Sequence, residues 1–81
     1  MKLSDIIPNG SSFNEEYQFH NQAITLVFRE GDREKTMRAN LHYYPLNKEW
    51  DLNPIFYEFT DEEKEKLIHM ILASGKVDSY N

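Results

Sequence analysis

The sequence predicts an α+β fold: an antiparallel β-meander of three to four strands, with one C-terminal α-helix packed on one face and a short N-terminal helical turn. Residues 24–29 and 37–43 alternate apolar and polar side chains on either side of a glycine turn, as half-buried strands do. Residues 60–75 have the caps and the apolar stripe of a helix. Because 81 residues cannot supply two stable cores, we expect a single domain over residues 1–81.

The N-terminal segment is expected to form the short helical turn. Ser4 can begin it as an N-cap, and Pro8 stops it because proline has no N–H with which to continue a helix. The turn would offer three apolar side chains for docking: Leu3, Ile6 and Ile7. Asn9-Gly10 then suits a turn, since both residue types tolerate a positive φ.

Residues 13–19 are predicted to be the first strand of the meander, followed by a turn at His20-Asn21. With that turn, the aromatic side chains of the segment fall on the apolar face of the sheet: Phe13, Tyr17 and Phe19. The sheet would then have one apolar face and one polar face, which is common in antiparallel sheets.

The second and third strands are predicted to form a hairpin closed at Gly31-Asp32, because glycine in the first position suits a two-residue loop. This loop sets Leu26 opposite Met37, so that apolar side chains meet on one face. It also sets Arg29 opposite Glu34, so that opposite charges meet beside the turn. A slip of one residue would send one strand's apolar side chains to the polar face, and this determines the register.

The chain after the hairpin is predicted to contain a connection and a fourth, short edge strand. Pro45 ends the third strand, and residues 46–54 are expected to connect it to a strand over residues 55–59, where the pattern alternates again. In the helix that follows, Thr60 is the expected N-cap, Glu63 completes a capping box, and Gly75 ends the helix. Its apolar stripe consists of Leu67, Ile68, Ile71 and Leu72.

The charge balance and the absence of cysteine limit the classes of function. Nine basic and fourteen acidic residues give a net charge of -5, and basic side chains supply most of the affinity for phosphates, so direct nucleic-acid binding is not expected. Without cysteine the chain has neither disulfides nor thiolate metal sites. Its first ten residues lack the apolar run of a signal peptide or membrane span, so we expect a cytoplasmic protein without membrane attachment.

The histidines do not indicate a metal site. His42 pairs with Asn21 beside the turn that would contain His20, so these two histidines could approach each other, whereas His69 falls on the polar side of the helix. A metal site needs three or four converging ligands, and no third ligand is evident. We expect no cofactor, because the chain has no phosphate-binding glycine loop, and no catalysis, because it has neither a cysteine nor a GxSxG nucleophile motif.

The polar face of the meander and the aromatic residues at its rim are the first candidate functional surface. Alternation places Arg38, His42 and Tyr44 on this face, and Trp50 follows in the predicted connection. Tyrosine and tryptophan are residue types that anchor protein interfaces. We therefore expect a small non-enzymatic interaction protein, an adaptor or inhibitor, that binds another protein through these four residues. A solvated face with compensating charges is the plain structural alternative.

The acidic C-terminal half supplies a second candidate surface, made of Glu58, Asp61, Glu62 and Glu65. Its charge could imitate a nucleic-acid backbone and dock into a basic groove, which would make the chain an inhibitor of a nucleic-acid-binding protein. Acidic residues at a helix start also favour the positive end of the helix dipole, so they can serve folding and solubility alone. Formation of a homodimer or homo-oligomer through the edge strand or the sheet face is a third alternative.

Overall fold

The computed structural model describes residues 2–80, and within them it contains one four-stranded sheet followed by one helix. The elements are β1 (Lys2–Asn14), β2 (Phe19–Glu30), β3 (Arg33–Tyr44), β4 (Glu49–Pro54) and α1 (Asp61–Ala73). All neighbouring strands are antiparallel, and their order in the sheet is the order of the sequence. The predicted α+β meander with a C-terminal helix is therefore confirmed, with four strands.

The hairpin of β2 and β3 has the predicted register. Leu26 lies opposite Met37, and Arg29 lies opposite Glu34. The guanidinium of Arg29 forms an ion pair with the Glu34 carboxylate at 2.8 Å, beside the turn. Gly31 has a φ of 59°, a backbone conformation that glycine adopts without a steric penalty.

The prediction of an N-terminal helical turn is wrong, because these residues belong to β1. Ile6 lies opposite Leu26 on β2 and is buried in the core. Pairing with β2 satisfies the outer edge of that strand, which a helical turn would leave without hydrogen-bond partners. Pro8 is tolerated because β1 is an edge strand, and the register shifts between Pro8 and Gly10, where the sequence had suggested a turn.

The first turn lies at residues 15–18, so the predicted turn at His20-Asn21 is wrong. The side-chain oxygen of Asn14 accepts a hydrogen bond from the N–H of Tyr17 at 2.9 Å, and Gln18 reverses the chain with a φ of 55°. Asparagine is well suited to open such a turn because its side chain replaces a backbone acceptor. His20 and Asn21 consequently lie within β2, and Tyr17 is exposed in the turn.

The fourth strand also lies earlier than predicted. β4 occupies Glu49–Pro54, within the expected connection, and residues 55–59 form no strand. A tight turn over residues 45–48, in which Lys48 has a φ of 56°, allows β4 to pair with β3 at once. This register sets Leu52 opposite Leu41, and both side chains are fully buried.

Helix α1 has the predicted caps. The hydroxyl of Thr60 accepts from the N–H of Glu63 at 3.1 Å, and the Glu63 carboxylate accepts from the N–H of Thr60 at 3.0 Å. Gly75 has a φ of 73° just beyond the C-cap. From the predicted stripe, Ile71 is fully buried, whereas Leu67 and Ile68 are partly buried against the core.

The core lies between α1 and one side of the sheet, which we call the helix face. The buried side chains that form it are Ile6, Ile24, Leu26, Ala39, Leu41, Leu52 and Ile71. Residues 77–80 also lie on the helix face, where the side chain of Gln22 is hydrogen-bonded to the backbone of Asp78. The opposite side of the sheet, which we call the open face, has neither α1 nor residues 77–80 packed on it.

Candidate functional site

The open face presents every second residue of each strand. Alternation places on it Ile7, Phe19, Asn21, Thr25, Arg38, Asn40, His42 and Tyr44. The centre of the face is a cross-strand row in which Thr25 lies between Ile7 and Arg38. Three of the four residues predicted to bind a partner, Arg38, His42 and Tyr44, thus share this face.

Three aromatic rings form a cluster at one end of the open face. The ring of Phe19 lies 4.5 Å from that of His42 and 5.4 Å from that of Tyr44, and the His42 and Tyr44 rings are 6.3 Å apart. These are distances at which aromatic pairs attract each other beyond their simple burial. All three residues remain partly exposed, so the cluster offers a half-exposed aromatic surface.

His42 is held in its neutral form by its surroundings. The side-chain nitrogen of Asn53 donates a hydrogen bond to Nδ1 of His42 at 3.2 Å, which requires a lone pair on that ring nitrogen. Partial burial lowers the pKa of His42 by disfavouring the charged ring, while the carboxylate of Asp51 acts in the opposite direction more weakly. The lowered pKa and this hydrogen bond both favour the neutral imidazole at neutral pH.

A polar cleft of about 320 Å³ adjoins the aromatic cluster. It is lined by Ser12, Phe13, Asn14, Phe19, Asn21, Asn40 and His42. The oxygen of the Asn21 side chain is buried there without a hydrogen-bond partner in residues 2–80. Amides and a hydroxyl beside an aromatic ring can form hydrogen bonds with a polar partner and pack against its apolar groups.

Arg38 extends the face towards the outer edge of β3. Its side chain is exposed and makes no hydrogen bond or ion pair with another residue in the described part of the chain. Its carbonyl accepts a hydrogen bond from the N–H of Ile55 at 2.9 Å, which fixes the backbone beneath the side chain. A cation without an internal partner is available for an acidic group of a binding partner.

The fourth predicted residue, Trp50, does not belong to this surface. It lies opposite Tyr43 on the helix face, with the two rings 4.6 Å apart, and it packs against the core. The sequence analysis placed Trp50 in a connection, but Trp50 belongs to β4. Alternation along this strand directs its side chain to the helix face, away from Tyr44. Trp50 therefore contributes to folding on the opposite side of the sheet.

His20 lies on the helix face as well, so it does not approach His42. Its ring stacks on that of Tyr80 at 4.3 Å and lies 4.7 Å from Phe13. The sheet separates the two histidines because they occupy positions of opposite parity in neighbouring strands. Among residues 2–80, no three side chains of the metal-binding types come together.

The predicted acidic surface is partly assembled by α1. Asp61, Glu62 and Glu65 are exposed on the first half of the helix, and Glu58 is exposed just before it. Lys64, within the same stretch, forms an ion pair with Asp51 of β4 at 3.6 Å. Because Lys64 is paired with Asp51, it does not neutralise the three helix carboxylates, which produce a negative electrostatic potential at this surface.

Sequence reasoning also misplaced Phe19, which belongs to the open face, and Phe56. Phe19 was assigned to the apolar face because the first turn was misplaced; Asn14, as the start of an Asx turn, was the signal that would have corrected it. Phe56 was assigned to a strand, but it is fully exposed and has a φ of 62°. Nothing in the local pattern predicts a left-handed backbone at a phenylalanine.

Comparisons with known proteins give this site no precedent. No protein-family model matches the chain, and neither a curated protein nor a solved structure matches it. Within the described residues, no helix has both the length and the apolar character needed to cross a membrane. The function has to be argued from the chemistry of the surfaces.

Proposed function

We propose that this chain is a small non-enzymatic interaction protein, an adaptor or inhibitor, that binds another protein through its open face. The observation that carries the proposal is the half-exposed aromatic cluster of Phe19, His42 and Tyr44, on the side of the sheet that α1 leaves uncovered. Partly exposed aromatic rings that are already packed against one another lose little conformational freedom on binding, so they suit an interface centre.

The surroundings of the cluster support a protein as the partner. Arg38 offers a cation at one side and the cleft beside Asn21 offers amide groups at the other, which are the polar rim groups typical of protein interfaces. The net charge of -5 disfavours a nucleic acid at the same face. Trp50 is no longer part of the proposed surface, because it packs on the helix face.

The test compares variants of this chain as baits in an extract of the native host. The double variant Phe19→Ala/Tyr44→Ala removes two rings of the cluster, and we expect it to lose the proteins that the wild type captures. Met70→Ala is the control, since it removes an exposed apolar side chain from α1, on the opposite side of the sheet. Circular dichroism and thermal melting establish that each bait is folded.

Capture of the same proteins by the wild type and the double variant, with both folded, would remove the open face as the binding surface. Loss of capture with Met70→Ala as well would show that capture responds to any change of the protein surface. Trp50→Ala serves as a further contrast: it is expected to reduce stability, because the indole packs against the core, without a specific effect on capture at temperatures where the variant is folded.

A second candidate function is inhibition of a nucleic-acid-binding protein by acidic mimicry. It is favoured by the exposure of Asp61, Glu62 and Glu65 on one helix, with Glu58 just before them. Such a complex would form faster at low salt, since carboxylates steer a basic partner from a distance. Charge reversal at Glu62 and Glu65 would abolish the salt dependence of binding to a basic protein, and an unchanged salt dependence would exclude this function.

A further inference from the structure

The outer edge of β3 is only partly covered. β4 pairs with β3 as far as Ala39 opposite Pro54, and one more backbone hydrogen bond joins Ile55 to Arg38. Residues 33–37 have no strand on that side in the part of the chain that the structure describes. This half of β3 is therefore a free sheet edge at the end of the molecule opposite to the aromatic cluster.

The hydrogen bond at Arg38 determines which peptide groups face outward. Backbone groups of a strand alternate between its two edges, so Thr36 and Glu34 direct their N–H and C=O groups the same way as Arg38. Met37, in between, pairs with Leu26 of β2. Outward-facing peptide groups of this kind are a template for pairing with another chain.

The free edge forms one wall of a groove of about 370 Å³, and residues 55–57 form the other wall. The groove has an apolar component, contributed by Met37, Ile55, Phe56 and Tyr57. Phe56 is the most exposed of these side chains, at 102% of its reference surface. Apolar side chains displayed beside a free edge give a bound strand both hydrogen-bond partners and a hydrophobic contact.

Phe56 is displayed by a backbone that its neighbours fix. The N–H of Ile55 is bonded to β3, and Tyr57 packs on Phe59 with the rings 4.9 Å apart. Between these two anchors Phe56 has a φ of 62°, which is unfavourable for a bulky side chain. A strained residue with a fully exposed side chain is a candidate for a functional role rather than a packing role.

The groove is basic although the chain as a whole is acidic. The two charged side chains that line it, Lys35 and Arg38, are both basic, and the one acidic residue among residues 33–38, Glu34, is ion-paired with Arg29 at 2.8 Å. The ammonium of Lys35 lies over the ring of Tyr57 at 5.7 Å, so this cation sits at the groove itself. Charge complementarity therefore selects an acidic partner.

We propose that this groove binds an extended acidic peptide segment of another protein, which adds to the sheet as a strand beside residues 33–38 and covers the side chain of Phe56. The bound strand would receive backbone hydrogen bonds from Thr36 and Glu34, place carboxylates near Lys35 and Arg38, and place an apolar side chain against Phe56. This inference goes beyond the open face, since it rests on the edge of β3 and on residues 55–57.

A second copy of this chain fits the groove less well. Two β3 edges brought together would place two predominantly basic segments side by side, which is unfavourable. The other edge strand, β1, contains Pro8 and two register shifts, and such interruptions prevent regular edge-to-edge pairing. An acidic strand from a different protein avoids both difficulties.

The test uses a phage-displayed library of random peptides of about twelve residues, long enough to span the free edge. We expect selection on the wild-type protein to enrich acidic sequences with alternating apolar residues and without proline. In NMR titrations with an enriched peptide, the amides of Thr36 and Glu34 should shift and become protected from hydrogen exchange. Substitution of proline at alternate positions of the peptide should abolish binding.

Two variants of the protein and two controls complete the design. Phe56→Ala and Lys35→Glu should each weaken binding of the enriched peptide by roughly tenfold or more. Leu46→Ala, which truncates another exposed apolar side chain, in the β3–β4 turn, should leave the affinity unchanged. Tyr44→Ala should also leave it unchanged, because Tyr44 belongs to the open face. A failure of the open-face proposal would therefore not affect this result.

Several results would overturn the inference. They are the absence of enrichment, enrichment of peptides that tolerate proline, and binding that survives Phe56→Ala and Lys35→Glu. Analytical ultracentrifugation of the protein alone tests whether a second copy of the chain occupies the groove. A dimer that Phe56→Ala dissociates would identify a second copy of the chain as the strand in the groove and would replace the acidic peptide.

Discussion

The side chain of Gln22 and the backbone of Asp78 are joined by two hydrogen bonds in opposite directions. The amide nitrogen of Gln22 donates to the Asp78 carbonyl at 3.0 Å, and its amide oxygen accepts from the Asp78 N–H at 2.8 Å. Gln22 is buried on the helix face of β2, so these two hydrogen bonds connect the second strand to the C-terminal segment. The buried side-chain amide thus satisfies the backbone donor and the backbone acceptor of Asp78 together.

We expect Gln22→Ala to lower the free energy of unfolding by about 2–3 kcal/mol, since both Asp78 groups lose their partners. Gln22→Glu keeps an acceptor for the Asp78 N–H but sets a carboxylate against its carbonyl, and it should also be destabilising. Urea denaturation measures both. Gln18→Ala, which removes a glutamine hydrogen-bonded in an exposed turn, is the control and should cost well under 1 kcal/mol. Equal losses at the two positions would contradict this role.

The bond to Gln22 places Tyr80 over the aromatic side chains of the helix face. Its ring stacks on His20 at 4.3 Å and on Tyr43 at 5.3 Å, and it lies 6.0 Å from Trp50. Tyr80→Ala should therefore expose Trp50, the one tryptophan of the chain, and shift its fluorescence emission to longer wavelength. Tyr17→Ala should leave the emission unchanged, and a shift of equal size in that control would argue against the contact.

Ile71 and Leu67 of the helix stripe differ in burial, and this predicts an order of stability effects. Ile71 is fully buried, and Ile71→Ala should cost about 2–5 kcal/mol through lost burial and the cavity left behind. Leu67 is only partly buried, and Leu67→Ala should cost about 1–2 kcal/mol. Urea denaturation of both variants gives the order directly. If Leu67→Ala were the more destabilising change, the position of α1 on the sheet would be wrong.

Regular alternation and capping residues could be predicted from the sequence. Leu26 opposite Met37 follows from the alternating pattern and the Gly31 turn, and Thr60 with Glu63 follows from a local capping motif. In each case neighbouring residues decide the conformation, so no long-range information is needed. The α+β fold, the central hairpin and the helix were predictable for this reason.

Elements decided by long-range pairing were not predictable. The segment around Ile6 has a plausible helical turn, but the unpaired edge of β2 makes it a strand. The position of β4 depends on the burial of Leu52 against Leu41, which no local signal announces. The candidate site changed accordingly: Trp50 moved to the helix face, Phe19 joined the open face, and Phe56 became exposed.

The backbone of Phe56 gives a prediction about stability that does not involve a partner. Phe56→Gly relieves the left-handed strain at a φ of 62°, but it also gives the unfolded chain more freedom. Phe56→Ala retains the strain, and neither variant loses packing, because the phenylalanine side chain is fully exposed. We therefore expect Phe56→Gly to be more stable than Phe56→Ala by about 0.5–1 kcal/mol in urea denaturation. The reverse order would mean that residue 56 does not adopt the left-handed backbone in the folded protein.

His42 makes the free energy of unfolding depend on pH. Its pKa in the folded protein is lowered from 6.5 by partial burial, with the opposing effect of Asp51 smaller. Below about pH 6.5 the unfolded chain then binds more protons at this residue than the folded protein, so acidification favours unfolding. The neutral ring makes its full contribution to the free energy of unfolding above pH 6.5, the pKa of His42 in the unfolded chain. This contribution is lost as the pH falls towards and through the lower pKa of His42 in the folded protein.

His42→Phe removes the titration but retains a ring beside Phe19 and Tyr44. We expect its free energy of unfolding to fall less than that of the wild type between about pH 7.5 and about pH 5.5, measured by urea denaturation. The variant should also be less stable at the higher pH, because Asn53 loses the acceptor of its hydrogen bond. His69→Gln, on the exposed side of α1, controls for removal of a histidine as such. If wild type and His42→Phe lost stability in parallel, proton binding at His42 would not be linked to folding, and its neutral form would have no part in holding the open face together.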